Sequence, residues 1–396
     1  MEKIRLLRIT TVPISLHVLL RGQFRYMLAH GFEVHTMSAP GKETQDVLQE
    51  GAQHHVVPMT RKITPIQDLV CLWQIIRIIR KTRPHIVHTH TPKAGLLGML
   101  AAWLCRVPVR MHTVAGLPLM EATGAKRTVL EIVEKITYAC AHRVYPNAGG
   151  LKDFIEQSLH VSPRKLTIIG RGSTNGIDTS VFKRTPVLAA EAVAIRQRYG
   201  IQPDDVVFSF VGRIVRDKGI GELIHAFQRL SETSSERLFL LLIGSFEQDL
   251  DPLAPEDYAF LQQDPRVILA GFQTDVKPWI MASDVFVFPS YREGFPNVVM
   301  QACCLEVPSV VSDINGCNEI IRQGETGLIV KPKDAEALYV GMHTLMHNVD
   351  LRQSFSAAAR EYVVANFDQQ YVWTTLREEY YRKVAHQKVP LLGASA

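Results

Sequence analysis

Two charged loops carry the residue types most suited to chemistry in this sequence. An apolar run, Val206–Val211, leads directly into Gly212-Arg-Ile-Val-Arg-Asp-Lys-Gly219. A guanidinium and an ammonium placed just past a strand can stabilise negative charge on a ligand, so Arg213 and Lys218 are the leading pair, with Gly212 beside them. Arg216 has no comparable support. A second apolar run, Val285–Phe288, leads into Ser290-Tyr-Arg-Glu-Gly-Phe-Pro-Asn-Val-Val-Met-Gln301. Glu293 in that loop can accept hydrogen bonds from sugar hydroxyls. Phe295, Pro296, Asn297 and Val298 open a helix whose unpaired backbone donors and positive dipole end suit a diphosphate. Gln301 follows eight residues after Glu293, on the helix.

Such loops need a sheet to hold them. Apolar runs at Arg5–Thr11, Glu33–Ser38, His54–Val57, Ile86–His90, Val109–Thr113, Val144–Pro146 and Leu166–Ile169 alternate with helical stretches. A second series comprises Val206–Val211, Leu238–Ile243, Val267–Ala270, Val285–Phe288, Ser309–Val311 and Leu328–Val330. Alternation of this kind predicts two α/β domains, each with a parallel sheet covered by helices. Ligands of such sheets bind beyond the carboxyl ends of the strands. Pro186, Pro203 and the charged stretch between them place the hinge near residues 178–190. A long helix is expected from Ala357 to about Lys388, studded with Phe367, Tyr371, Trp373, Leu376, Tyr380 and Tyr381.

At 396 residues the chain has room for two cores. Its six cysteines form no C-x2-C pairs, which indicates neither zinc nor a disulfide framework and favours a reducing compartment. The start of the sequence lacks the apolar core of a signal peptide, and no apolar run reaches the length of a bilayer span. Residues 1–184 hold 25 Lys+Arg against 12 Asp+Glu, whereas residues 185–396 hold 19 against 27. The basic half should be drawn to something anionic. Dispersed cations without interleaved aromatic platforms argue against nucleic acid, and lipid headgroups or a lipid diphosphate fit better. The apolar stretch Thr60–Arg83, rich in cations and containing Trp73, suits either packing on the sheet or docking on a membrane surface. His88 and His90 share a strand face but lack a carboxylate to complete a metal set, and Asp249-Leu-Asp251 sits in a loop rather than at a strand end. No metal is expected.

The loop from Ser290 to Gln301 resembles the E-x7-E signature of retaining glycosyltransferase family 4, with Gln301 where relatives carry a second Glu, and Gly212–Gly219 resembles that family's GR-x4-KG element. The resemblance covers nearly the whole chain and is strongest at residues 10–25, 84–150, 165–182, 210–220 and 285–330. His88-Thr-His-Thr-Pro-Lys-Ala-Gly95 and Gly116-Leu-Pro-Leu-Met-Glu-Ala-Thr-Gly-Ala-Lys-Arg127 further resemble bacterial capsule and O-antigen transferases that act on polyprenyl-diphosphate sugars.

The resemblance implies the GT-B fold: two Rossmann-like domains facing across a cleft, with a C-terminal helix crossing back to the N-terminal domain. The expected division is 1–182 for the acceptor, 183–365 for the nucleotide sugar, and 366–396 for the crossover helix and tail. It further implies retaining transfer of a HexNAc or related hexose from a UDP-sugar to a polyprenyl-diphosphate-linked saccharide, without cofactor or metal, at the cytoplasmic face of a bacterial plasma membrane. Another nucleotide, such as GDP, stays open. By the same resemblance Arg213 and Lys218 stabilise the leaving group, Glu293 orients the donor sugar and Gln301 meets the ribose. His112, read as ending the strand Val109–Thr113, stands near the reacting centre, and Gly22 lets backbone approach the donor phosphates. Lys93, Lys126 and Arg127 hold the acceptor's diphosphate or form a solvated face. Gly170-Arg-Gly-Ser-Thr-Asn175-Gly176-Ile-Asp178 shapes the domain junction. Two rival readings are a nucleotide-sugar epimerase of the same fold and a sugar-nucleotide-binding scaffold subunit, the latter prompted by Gln301.

Overall fold

The computed structural model describes residues 3–120, 122–247, 249 and 251–387. The chain forms two units, Met1–Gly176 with Gln369–Ala396, and Ile177–Asp368. The first unit contains β1 (Ile4–Ile9), β2 (Phe32–Ser38), β3 (Gln53–Val56), β4 (Ile86–His90), β5 (Val109–Val114) and β6 (Arg143–Pro146). The second contains β7 (Val206–Val211), β8 (Leu238–Ile243), β9 (Val267–Gly271), β10 (Val285–Phe288), β11 (Ser309–Ser312) and β12 (Gly327–Val330). Both sheets are parallel, ordered β3-β2-β1-β4-β5-β6 and β12-β11-β10-β7-β8-β9. In β7 and β8 every residue is buried, because helices cover both faces and leave no side to water.

Each strand order reverses once, between β1 and β4 in the first unit and between β7 and β10 in the second. At such a reversal the connections leave in opposite directions and open a crevice beyond the strand ends. In the second unit the loops that part at this point are those beginning at Gly212 and Pro289.

Three sequence expectations are corrected. Leu166–Ile169 forms no strand: Leu166 makes a single bridge to Val144. The expected 182/183 division and the hinge at 178–190 give way to a boundary at Gly176, since Pro186 opens the helix Pro186–Arg198, capped by the Thr185 side chain at 3.2 Å from Leu188 N. A proline in the first helical turn starts an element, because its missing N–H would be unpaired there anyway. The final segment is two helices, Val349–Phe367 and Gln369–His386, parted at Asp368, whose backbone is extended. There Phe367 O accepts from Ile177 N at 2.9 Å and Asp368 Oδ2 from Thr179 Oγ1 at 2.6 Å. Helix Gln369–His386 does belong to the first unit, where Leu376, Tyr380 and Val384 join the core with Leu6, Phe24 and Phe32. The expected end of this helix near Lys388 lies outside the described residues.

Candidate active site

Gly219 ties the two charged loops of the second unit together. Its φ of +70° belongs to the left-handed region, and a Cβ there would stand 2.1 Å from Pro289 O, so only glycine lets the chain after β7 cross the chain after β10. The first loop is fixed along the end of β8 by Gly212 N donating to Ile243 O at 2.9 Å and Ile214 N to Ser245 O at 2.9 Å. Asp251 accepts from Asp217 N at 2.6 Å and pairs with Arg216 at 3.3 Å. Of the Asp249–Asp251 pair, then, Asp251 shapes this loop. Tyr291 N donates to Asp217 O at 2.9 Å, a further link between the loops.

The cations expected to meet a diphosphate rest on carboxylates. Lys218 Nζ pairs with Glu293 Oε1, which also accepts from Ser290 Oγ at 3.2 Å. Both bonds land on Oε1, so Oε2 retains its acceptor capacity. Arg213 donates to Glu247 at 2.9 Å and stands 4.0 Å from Asp217. Its hydrogen bond to Glu247 raises its pKa despite partial desolvation, with further help from Asp217 and Glu293. The Arg213 side chain is 44% exposed and that of Lys218 12%. A guanidinium this exposed can exchange Glu247 for an incoming anion at little cost, because exposed ion pairs are weak.

Helix Asn297–Cys304 starts after Pro296 with no side-chain cap. Phe295 and Val298 anchor that start: Phe295 lies 5.3 Å from the Phe367 ring, and both pack on the core of the second unit. Asn297 is exposed. What these residues offer a ligand is backbone at a helix N-terminus. Gln301 brings its carbonyl oxygen to a buried position with no hydrogen-bond partner. An unpaired buried acceptor is costly, and a ligand hydroxyl would relieve it.

The first unit treats its candidates differently. His112 does not end β5, which continues to Val114. It is 2% exposed, its Nδ1 bonds Thr89 Oγ1 at 2.7 Å, and its Cε1 edge fills the space that a Cβ at Gly95 would take. Burial pushes its pKa down to about 3, so it stands as a neutral imidazole. Gly22 serves packing: its N–H donates to Glu50 at 2.8 Å, and a Cβ would fall 2.7 Å from the Trp373 ring. That amide is therefore bonded to a carboxylate of its own unit. Lys93 is 12% exposed and bonds Asp68 at 2.7 Å and Thr64 at 3.2 Å, which makes it a clasp between two helix starts rather than a free cation. Lys126 is exposed, and Arg127 pairs with Glu131 at 2.9 Å one turn along. Asn175 bonds Gln23, Trp373 and Arg21 O, a structural part as expected for its loop.

Sequence reasoning missed the partners Glu247, Asp217 and Ser290. Ser290 adjoins a motif and could have been read; Glu247 lies 34 positions from Arg213 with no local signal.

A parallel sheet with cations, a carboxylate and an uncapped helix gathered at its reversal point, in a chain of two Rossmann-like units, is an arrangement able to hold an anionic ligand. Residues 17–172 match the family model described as glycosyl transferase 4-like domain, and residues 192–362 that of glycosyl transferases group 1. The chain is 35% identical over 381 residues to the capsular polysaccharide biosynthesis glycosyltransferase CapM of Staphylococcus aureus, covering 96% of this chain and 97% of that one. It is 27% identical over 322 residues, 80% of each chain, to the Escherichia coli UDP-Gal:alpha-D-GlcNAc-diphosphoundecaprenol alpha-1,3-galactosyltransferase. Among solved structures, a glycosyltransferase from Rickettsia africae superposes with a TM-score of 0.80 at 20% identity, covering 97% of this chain and 99% of that one. The chain belongs to the group 1 glycosyltransferases of the family 4 type, has the GT-B fold, and is a glycosyltransferase of the capsule and lipid-linked polysaccharide kind.

Proposed function

We propose that the protein transfers a hexose or HexNAc from a UDP-sugar to a polyprenyl-diphosphate-linked saccharide with retention of anomeric configuration and without a metal. The observation that carries this reading is the gathering of Arg213, Lys218 and Glu293 on the two loops that part at the reversal point of the second sheet. The Escherichia coli relative, named for a UDP-Gal donor and an undecaprenyl-diphosphate acceptor, supports the two substrate classes.

In this mechanism the bond from the anomeric carbon to the diphosphate oxygen breaks as the acceptor hydroxyl oxygen bonds to the same face of that carbon. The hydroxyl proton passes to the departing diphosphate oxygen. Arg213 leaves Glu247 for the diphosphate, and Lys218 neutralises it from the other side. Glu293 keeps Oε1 toward Lys218 and uses Oε2 on a donor sugar hydroxyl, while Gln301 accepts from a ribose hydroxyl. Neutral His112 acts through the shape of the first unit's sheet, not as a base.

Two helices of the first unit support a peripheral place on the inner face of the plasma membrane. Pro65–Thr82 buries Cys71, Ile75 and Ile79 but exposes Ile66, Leu69 and Trp73, with Arg77 4.7 Å over the Trp73 ring. Gly124–Cys140 exposes Val129, Ile132 and Ile136 beside Lys126. Apolar side chains ringed by cations suit anionic headgroups. No helix among the described residues is long and apolar enough to cross a membrane.

The test is a transfer assay with purified protein, a panel of UDP- and GDP-sugars and undecaprenyl-diphosphate-linked acceptors, read by mass spectrometry and anomeric NMR. The expected product is a lipid longer by one α-linked sugar. Isomerised nucleotide sugar without an elongated lipid would establish the epimerase reading instead, and binding without turnover the scaffold reading.

A further inference from the structure

Arg8 is a cation enclosed without a counter-charge. It lies in β1 at the reversal point of the first sheet, is 1% exposed, and has no carboxylate partner among the described residues. Its guanidinium donates to neutral acceptors: Gln23 Oε1 at 2.6 Å, Tyr380 Oη at 2.8 Å, and His90 Nε2 at 3.2 and 2.9 Å. An ion removed from water without an opposite charge is strongly disfavoured.

The hydrogen bonds around Arg8 fix where the remaining protons go. Arginine only donates, so His90 Nε2 must accept, and the neutral ring carries its proton on Nδ1. That Nδ1 is buried with no partner. Tyr380 Oη accepts from Arg8 and sits 2.6 Å from His88 Nδ1, whose Nε2 lies 2.7 Å from Thr113 Oγ1. If Tyr380 donates to His88, His88 donates to Thr113 and the spare proton is on the Thr113 hydroxyl. The opposite direction would strand a proton on Tyr380, which is fully buried, so the first arrangement wins. Four of the five Arg8 N–H groups are used in the bonds above, leaving one on Nη2.

Arg8, His90 and Thr113 line one cavity of about 20 Å³, which also touches Asn147 and, from helix Gln369–His386, Val372 and Leu376. A water-sized occupant needs roughly 10–15 Å³. We infer that this cavity is a binding site for a halide-sized anion, chloride in the cell, held by Arg8 Nη2–H, His90 Nδ1–H and Thr113 Oγ1–H. The anion supplies the missing negative charge and ends three donor chains at once. Asn147 Oδ1, buried and unpaired on the same wall, is the one acceptor there and suits a water beside the anion. Because Val372 and Leu376 wall the cavity and Tyr380 bonds Arg8, the occupant fastens the returning C-terminal helix to the first sheet.

The experiment compares thermal unfolding of the full chain in sodium chloride and sodium gluconate at equal ionic strength, together with anomalous diffraction from bromide-soaked crystals. Binding to the folded state alone raises the midpoint with ligand concentration, and at ten times Kd the rise should be about 3 °C or more. A bromide peak between His90 Nδ1 and Thr113 Oγ1 is expected. Thr113→Val, which keeps the shape and removes a donor, should shrink the chloride effect several-fold, and Arg8→Met should abolish both effect and peak. Should Arg8→Met not fold, Thr113→Val and the crystal decide. Equal midpoints in the two salts, water alone in the cavity, or a chloride effect untouched by Thr113→Val would each overturn the site. A bromide peak with no chloride-dependent stability means an adventitious ion only, and overturns it too.

Discussion

The two units repeat one strand order and use its reversal point in opposite ways. In the second unit the loops past β7 and β10 bring Arg213 and Lys218 to partly exposed positions, each resting on a carboxylate, Glu247 and Glu293. In the first unit the loops past β1 and β4 are pinned together by Thr11 and Thr91, whose hydroxyls lie 2.8 Å apart, and the charge at the reversal is sealed beneath helix Gln369–His386. A crevice of this fold is therefore an opportunity, not a function. Whether the side chains there face water or a packed helix decides if they bind substrate or hold the protein together.

Acid should separate the two units most strongly. The first unit buries His88, His90 and His112 with pKa values lowered by desolvation, and His55 and His142 are each lowered to about 4 for the same leading reason. A histidine whose folded pKa is depressed contributes stability above its unfolded value near 6.5, and loses it as pH falls. Glu134, raised to about 7 by burial, runs the other way: its contribution is complete below about 4.5 and fades as pH rises through 7. From pH 7 to 5 these five histidines lose their contribution while Glu134 regains part of its own, so the first unit loses stability on balance. Hydrogen exchange at pH 7 and 5 should show residues 1–176 opening while the second unit holds; equal loss in both would break the contrast.

Lys218→Ala and Arg213→Ala probe the opposite side of the comparison. Each should lower kcat for transfer by about 10²–10³-fold while leaving the melting temperature nearly unchanged. Loss of stability without loss of turnover would place these cations with Arg8 as structural groups. Glu134→Gln should raise first-unit stability by about 2–3 kcal/mol at pH 8 and flatten its dependence between pH 4.5 and 7, measured by urea unfolding. The smallest effect is expected from Gln301→Glu: a charge-assisted bond to a ribose hydroxyl is worth about 1 kcal/mol more, so donor KM should fall about fivefold with kcat steady. An unchanged KM would remove Gln301 from the donor site.

Much of this could be read in advance. Val206–Val211 and Leu238–Ile243 announce buried parallel strands because all their residues are apolar or small, and burial on both faces tolerates little else. Gly212–Gly219 and Ser290–Gln301 were legible because each is one continuous segment fixed to a strand end. Leu166–Ile169 misled because an apolar run needs a free ladder position, and only one bridge to Val144 forms. Lys93 looked available until Asp68 and Thr64 occupied it.

The sequence by itself determined two α/β units, all strands but the misread Leu166–Ile169, and the loops that carry Arg213, Lys218, Glu293 and Gln301, since propensity, periodicity and strand-end placement act over short stretches of chain. Tertiary structure alone decided that Glu247 holds Arg213, that Tyr380 closes over Arg8, and that Trp373 claims the space at Gly22. Those pairings join residues tens to hundreds of positions apart. They arise when burial forces each polar group to find a partner wherever the fold has brought one.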